Sequence, residues 1–299
     1  MNLGYPVISY NLAPLGITPY RELSGSIDEI SETYIQNLRD LRSTVEWNEE
    51  NGIKFYRMSN HLIYPISKIN RQEEALEILN DTGNFCREKG HRLSFHCSHY
   101  AVLCSPKDFV RRKAREEIES QSLFFDHLGY SPTHWNKINI HIGGSYGNRE
   151  STISKWISEW EKLSDRAKSR LVVENDDKAS LYSVKYLHEN LHIRTGIPIT
   201  FDSFHHNFCH DDLTKEEAAV LASSTWKDSP PCFHFASSRT INENNGPSTA
   251  HADWVYEDIQ DWGNDAWIMV ESKGRDLAVL NYIKYGPGKA NSLESFALK

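Results

Sequence analysis

Eight residues with the chemistry of metal ligands recur along the chain: His96, His141, Glu174, Asp202, His205, His234, His251 and Glu271. Any single one of the 14 histidines is more readily explained as a core or surface residue, so the weight lies in the pattern. Imidazole and carboxylate donors without thiolate suit zinc, manganese or iron(II), and the residues leave that choice open. Carboxylates at Glu174, Asp202 and Glu271 exceed what one ion needs, so two or three divalent ions are expected. A carboxylate can bridge two ions, and Glu174, central in the series, is the candidate bridge. Such a site suits phosphodiester hydrolysis, one ion activating water while others hold the phosphate and the departing oxygen. The alternative for Glu174 and Glu271 is a pair of buried salt bridges.

Elements of a specific kind must bring these residues together. Short β-rich runs recur at Leu3–Ile8, Lys54–Met58, Arg92–His96, Ile138–Ile142, Leu171–Glu174, Ile197–Asp202, Cys232–Ala236 and Trp267–Glu271. Most are continuously apolar, as expected of parallel strands covered on both faces. Helical patterns alternate with them. The clearest has Ile30, Tyr34, Leu38, Leu41 and Val45 on one stripe behind a Ser26/Glu29 capping box. Ser105-Pro106 reads as an N-cap with a first-turn proline, and Thr214 with Glu217 as a second capping box. The spacing predicts a (β/α)8 barrel filling residues 1–299 as one domain. His96, His141, Glu174, Asp202, His234 and Glu271 then sit at the C-terminal ends of strands three to eight, on one face. His205 and His251 lie on loops opening onto that face. Two long connections share it, around Tyr64–Arg71 and at Ser237–Ala250, the latter a polar candidate lid. The Gly143-Gly144 pair lacks the lysine and spacing of a phosphate-binding loop and is expected to let backbone pass close to metal or DNA.

Composition restricts the classes. With 39% hydrophobic and 25% charged residues, the chain reads as an ordinary soluble globular protein. MNLGYPVISY has no signal-peptide pattern and no run is long enough to span a membrane, so a cytoplasmic protein is expected, nucleoid-associated if prokaryotic. The five cysteines, Cys86, Cys97, Cys104, Cys209 and Cys232, are odd in number and without C-x-x-C spacing, against a disulfide scaffold or thiolate-held zinc. A formal charge of −8 is unusual for a nucleic-acid binder, unless bound cations invert the local field.

The segments LGYP (3–6), LSFHCSHY (93–100), HIGGSYG (141–147), VEND (173–176), DSFHH (202–206), HFASS (234–238) and VESKG (270–274) together resemble the UV-damage endonuclease family over nearly the whole chain. The resemblance implies a TIM barrel related to the apurinic endonucleases of the endonuclease IV type. It implies a trinuclear metal cluster in which manganese is favoured, with zinc or magnesium as alternatives. It also implies a nick immediately 5′ of cyclobutane dimers and (6-4) photoproducts in double-stranded DNA, leaving a 3′-hydroxyl and a 5′-phosphate. The eight residues named above match the family's ligand positions. Tyr5 and Asn11 match positions near its active site. Lys273 is positioned to meet phosphate, or to cover the barrel rim with its stem.

Where the family commonly probes the lesion with glutamine and tyrosine, this chain has His99 and Tyr100. Tyr100 is expected to wedge and stack, its competing reading being an aromatic packed under the loop. Lys68 stands where many members have a histidine. Cys232 stands where many have a lysine, whose role must then be absent or supplied elsewhere. No protein partner or dimer seam is evident, so a monomer is expected. Rival readings are a metal-dependent sugar isomerase or epimerase, a non-catalytic binder of damaged DNA, and an apurinic endonuclease on the same barrel. The last usually has an Asp-x-His pair where this chain has Thr249-Ala250-His251.

Overall fold

Strands form where the β-rich runs place them, in a computed structural model that describes residues 1–288. They are β1 (Asn2–Pro6), β2 (Phe55–Arg57), β3 (Arg92–His96), β4 (Ile138–Ile140), β5 (Leu171–Glu174), β6 (Ile199–Asp202), β7 (Cys232–Phe235) and β8 (Trp267–Val270). All pair in parallel in sequence order, and β8 closes on β1 through Leu3 opposite Ile268. The result is a closed (β/α)8 barrel. Residues 289–299, the end of the expected domain, lie outside the described residues.

The helices are α1 (Ile27–Glu50), α2 (Gln72–Lys89), α3 (Asp108–His127), α4 (Arg149–Trp160), α5 (Asp165–Lys168), α6 (Val184–Leu187), α7 (Ile193–Thr195), α8 (Lys215–Ser223), α9 (Arg239–Glu243) and α10 (Arg275–Tyr285). Both capping boxes form, Ser26 with Glu29 opening α1 and Thr214 with Glu217 opening α8. The expectation for Ser105-Pro106 is corrected. The Ser105 hydroxyl accepts from the Lys107 amide at 3.2 Å and closes a local turn, and α3 starts only at Asp108. β1 stops at Pro6 instead of Ile8 because Val7 takes a left-handed φ of 61°, which ends extended pairing. No described helix is long and apolar enough to cross a membrane.

Strand alternation sorts the interior. Outward residues such as Tyr56, Phe95, Ile140, Val173, Phe201 and Ile268 join the layer between barrel and helices. Inward residues Phe55, Val172, Cys232, Trp267 and Met269 pack with Trp226 as a separate cluster plugging the barrel. The buried Arg92 guanidinium sits in this plug, 5.1 Å from the Trp135 ring centre and 5.5 Å from that of Trp226. It donates to the carbonyls of Trp135 and Pro230, so its hydrogen bonds are retained out of water. At Gly4 any Cβ would lie 2.2 Å from the Phe55 carbonyl oxygen, so β1 brings backbone but no side chain to that inward position.

Candidate metal centre

Above the plug, the inward positions stop being apolar. The same parity that points Arg92 and Ser94 inward points His96 inward, and likewise Asn139 then His141, Val172 then Glu174, Thr200 then Asp202, Cys232 then His234, and Met269 then Glu271. The side chains meet around Glu174, which is 1% exposed. Its Oε1 lies 3.0 Å from His234 Nδ1 and 3.5 Å from His205 Nδ1, and its Oε2 lies 3.3 Å from His96 Nε2 and 3.7 Å from His141 Nε2. Asn139 also donates to Oε2.

Three groups have donor atoms within 4.8 Å of one another: His96, His141 and Glu174; Glu174, Asp202 and His205; Asp202, His234 and Glu271. They overlap, sharing Glu174 and then Asp202. His251 stands at the edge, its Nδ1 3.8 Å from Glu271 Oε2. All eight residues singled out in the sequence are therefore neighbours.

The rings are oriented. His96 Nδ1 lies 2.8 Å from the Cys97 carbonyl oxygen, His205 Nδ1 2.9 Å from that of Asn175, and His251 Nδ1 3.1 Å from that of Glu271. His141 Nδ1 lies 3.2 Å from Asp176 Oδ1. The backbone carbonyls fix the ring planes of His96, His205 and His251, as is usual for metal-binding histidines, and His96 and His141 turn Nε2 toward Glu174. His234 is reversed: Nδ1 faces Glu174 and Glu271, and Nε2 lies 2.9 Å from Lys137 Nζ. Asp202 accepts the amides of Phe204 and His205 at 2.7 Å through Oδ1, while Oδ2 is buried without a hydrogen-bond partner.

The electrostatics follow from packing acids and imidazoles out of water. Burial alone would raise Glu174, but the rings of His234, His141 and His96 hold it well below the usual carboxylate range. Burial is likewise outweighed at Glu271, held low chiefly by Arg57 and His234. Asp202 has less compensation, and burial pushes it to about 6. Burial disfavours charged rings at His141 and His205, yet Glu174 with Asp176 raises the first to about 9 and Asp202 with Glu174 raises the second to about 10. His234, deepest in the barrel, is pushed down to about 4 by burial. Protons thus stand in this cluster where cations would compete for the same atoms.

Not every expected residue arrives. Tyr5 is corrected: its odd parity on β1 turns it outward, where its hydroxyl donates to Asn48 of α1 at 2.9 Å, away from the cluster. Asn11 is tied to the start of α10, its side chain donating to Asp276 at 2.8 Å. Lys68 is exposed in a 3-10 turn, Ile66–Lys68, and does not line the cavity above the cluster. Lys273 does line it, with His99. Tyr100 is 87% exposed beside the mouth, so it is not an aromatic packed under its loop. Gly143 lies against the loop that follows β3. Its φ of 101° and a Cβ position 2.8 Å from Val102 Cγ1 show glycine allowing the β4 loop to pass the His99–Tyr100 loop. The candidate lid holds α9 and is pinned by Arg239 to Asp253.

Three residues were missed. Arg57 occupies on β2 the inward end position that carries a ligand type on β3 to β8, and its guanidinium pairs with Glu271. Asp176 orients His141. Lys137, 1% exposed and inside the barrel, reaches Asn139 Oδ1 at 3.1 Å as well as His234, so the residue leading into β4 brings an amine to the cluster. Inward parity was the available signal for Arg57 and Lys137.

The cavity above the cluster has two lobes. One of about 470 Å³ is lined by Arg57, Asn60, Lys273 and Arg275 along with ligand candidates, and one of about 300 Å³ by His99, Val102, Gly143, Asp176 and Asp177.

A family model described as UV-endonuclease UvdE matches residues 10–295. A UV DNA damage endonuclease of Clostridium perfringens is 32% identical over 262 residues, covering 83% of this chain but 61% of its own length. A putative UV-damage endonuclease of Acanthamoeba polyphaga mimivirus is 27% identical, covering 95% of this chain and 91% of its own. The crystal structure of SacUVDE superposes with a TM-score of 0.82 at 28% identity, covering 95% of this chain and 97% of that one. Endonuclease IV from Thermus thermophilus, at TM-score 0.58 and 13% identity, and a D-psicose 3-epimerase of Clostridium cellulolyticum, at 0.52 and 12%, share the fold alone.

Proposed function

The chain belongs to the UV-endonuclease UvdE family, and from that membership we propose a metal-dependent DNA repair endonuclease that hydrolyses the phosphodiester immediately 5′ of ultraviolet photoproducts. The observation that carries it is the overlapping set of donor groups around Glu174 and Asp202 at the C-terminal mouth of the barrel. Two or three divalent ions suit this donor set: a buried Asp202 oxygen and His141 Nδ1 lack hydrogen-bond partners, and His96, His205 and His251 have Nδ1 anchored on backbone carbonyls. His96, His141, Glu174, Asp202, His205, His234, His251 and Glu271 would hold them, with Glu174 as a bridge and manganese the first candidate. When bound, such ions supply water activation at neutral pH and neutralise charge on the phosphate.

The protein's own residues do the rest. His96, His205 and His251 keep ring planes fixed by backbone carbonyls, so their donor atoms need little reorganisation. Photoproducts stack poorly, so opening the duplex at a lesion costs less than elsewhere. Tyr100, exposed beside the mouth, is suited to fill the opened stack, and His99 presents a hydrogen-bonding ring next to it. Double-stranded damaged DNA is the substrate on this reading, one barrel domain acting as a monomer in the cytoplasm or on the nucleoid. The epimerase alternative rests on fold likeness below 15% identity, whereas the family match spans most of the chain.

The test is single-turnover nicking of duplexes carrying one cyclobutane dimer, one (6-4) photoproduct or one abasic site, with manganese, for the wild type and Glu174→Gln. The expected result is a cut directly 5′ of the dimer that Glu174→Gln loses. Cutting only at the abasic site moves the assignment to an apurinic endonuclease, and no cutting of any duplex sinks the nuclease reading.

A further inference from the structure

On one side of the metal-ligand cluster stand cations whose nearby carboxylates are already engaged. Glu271 pairs with Arg57 and Asp253 with Arg239. Asp276 accepts from the Ser9 hydroxyl and the Tyr10 amide at 2.7 Å and from Asn11 Nδ2 at 2.8 Å. Arg275, next to Asp276, keeps its Nε buried without a hydrogen-bond partner and holds a left-handed φ of 51°, a strained conformation for a residue with a side chain. Arg57, Lys273 and Arg275 line the lobe of about 470 Å³, which also receives His96, Glu174 and Glu271. The other lobe carries Asp176 and Asp177 and no arginine or lysine.

We propose that Arg57, Lys273 and Arg275 form a phosphate-binding subsite beside the metal-ligand cluster, which takes the backbone phosphate next to the one that is cut. Three cations converge on this lobe, Arg275 keeps a buried donor without a partner, and a guanidinium offers a phosphate paired donors. Asp176 and Asp177 repel the backbone from the opposite lobe, so the two lobes fix the side on which the strand runs. The choice of a DNA phosphate rests on the nuclease reading; an anion site on these residues does not.

Two measurements on the metal-loaded full chain separate these. The first is the thermal shift caused by inorganic phosphate in wild type, Arg275→Gly, Arg275→Lys and Lys273→Met. Glycine suits the left-handed backbone, so Arg275→Gly is expected to fold with an unchanged or higher Tm while losing most of the phosphate-induced shift. Arg275→Lys should keep part of it and Lys273→Met should weaken it. An equal shift in all four proteins puts phosphate elsewhere and overturns the subsite.

The second is binding of a dimer-containing duplex at varied salt. Arg275→Gly should bind ~10-fold more weakly, with a log–log salt slope smaller by ~0.9 for one lost phosphate contact. A neutral methylphosphonate next to the nick position should weaken wild-type binding but not weaken Arg275→Gly further. Equal weakening of both proteins overturns the assignment to that phosphate. If the duplex is neither bound nor cut while the phosphate shift still depends on Arg275, the nuclease reading fails and the anion site stands.

Discussion

Replacing Lys137 with methionine separates fold stability from metal affinity. The lysine is buried inside the barrel, with Nζ 2.9 Å from His234 Nε2, 3.1 Å from Asn139 Oδ1 and 3.4 Å from Thr200 Oγ1. Methionine keeps much of the volume and removes the ammonium, whose burial pushes the lysine down to about 8. For the metal-free protein, buried acceptors left without their donor cost ~1–3 kcal/mol each, and relief from desolvating the ammonium, several kcal/mol, offsets most of that. The Tm is therefore expected to stay within a few degrees of wild type. For metal binding the terms do not cancel. For His234 to ligate through Nδ1 its ring proton must sit on Nε2, where the Lys137 amine accepts it in the neutral form that burial brings within reach; losing such an acceptor typically weakens affinity ~10–100-fold, or ~1.4–2.7 kcal/mol. The assay is competition for manganese and zinc against a fluorescent chelator, beside thermal unfolding of the metal-free chain. Weaker binding with Tm preserved supports Lys137 as the residue that positions His234. Unchanged affinity rules that role out, and a collapse of Tm makes Lys137 a structural member of the plug.

Removing the Tyr100 ring should separate recognition from folding. At 87% exposure, Tyr100→Ala should change stability by less than ~0.5 kcal/mol. Its loss should cost ~1–3 kcal/mol of affinity for a dimer-containing duplex, read by fluorescence anisotropy, with a smaller effect on undamaged DNA; equal loss on both duplexes removes Tyr100 from lesion probing. The metal-free protein should lose stability as pH rises. His141 near 9 and His205 near 10 lie above the ~6.5 of an unfolded histidine, so their contribution is complete below that value and lost as pH climbs through 9 and 10. Tm of the metal-free chain should fall between pH 7 and 10 and fall less with manganese bound, because the ions take the place of those protons; a flat metal-free profile shows that these rings do not hold them.

The barrel and the ligand positions were legible because one physical rule governs both. A buried parallel strand reads as a continuous apolar run, and a polar residue at its C-terminal end must have a partner at the mouth. That rule located His96, Glu174 and Asp202 at strand ends and His141 and Glu271 one residue beyond. Tyr5 escaped it because one step of alternation moves a side chain from the pocket to the helix layer, and β1 is too short for its pattern to show which. Lys137 and Arg57 were legible in principle, being two residues before Asn139 and two after Phe55 on inward faces. A charged residue next to an apolar strand nevertheless reads first as a boundary. Lys68 shows the opposite limit: neighbouring strands say nothing about where a loop lysine ends, and here it stays outside the cavity. The Ser105-Pro106 turn has the composition of a helix start, but the hydroxyl is spent on the Lys107 amide two residues on.

Bound metal and cleavage are best read on one sample. Manganese is added in steps to the chelator-stripped chain, bound equivalents are counted, and single-turnover nicking of a dimer-containing duplex is followed at each step. A shared Glu174 and a shared Asp202 predict negligible cutting at one equivalent, and full cutting directly 5′ of the dimer once the second or third is bound. Full cutting without bound metal, or at a single equivalent, is incompatible with a multinuclear site in this barrel.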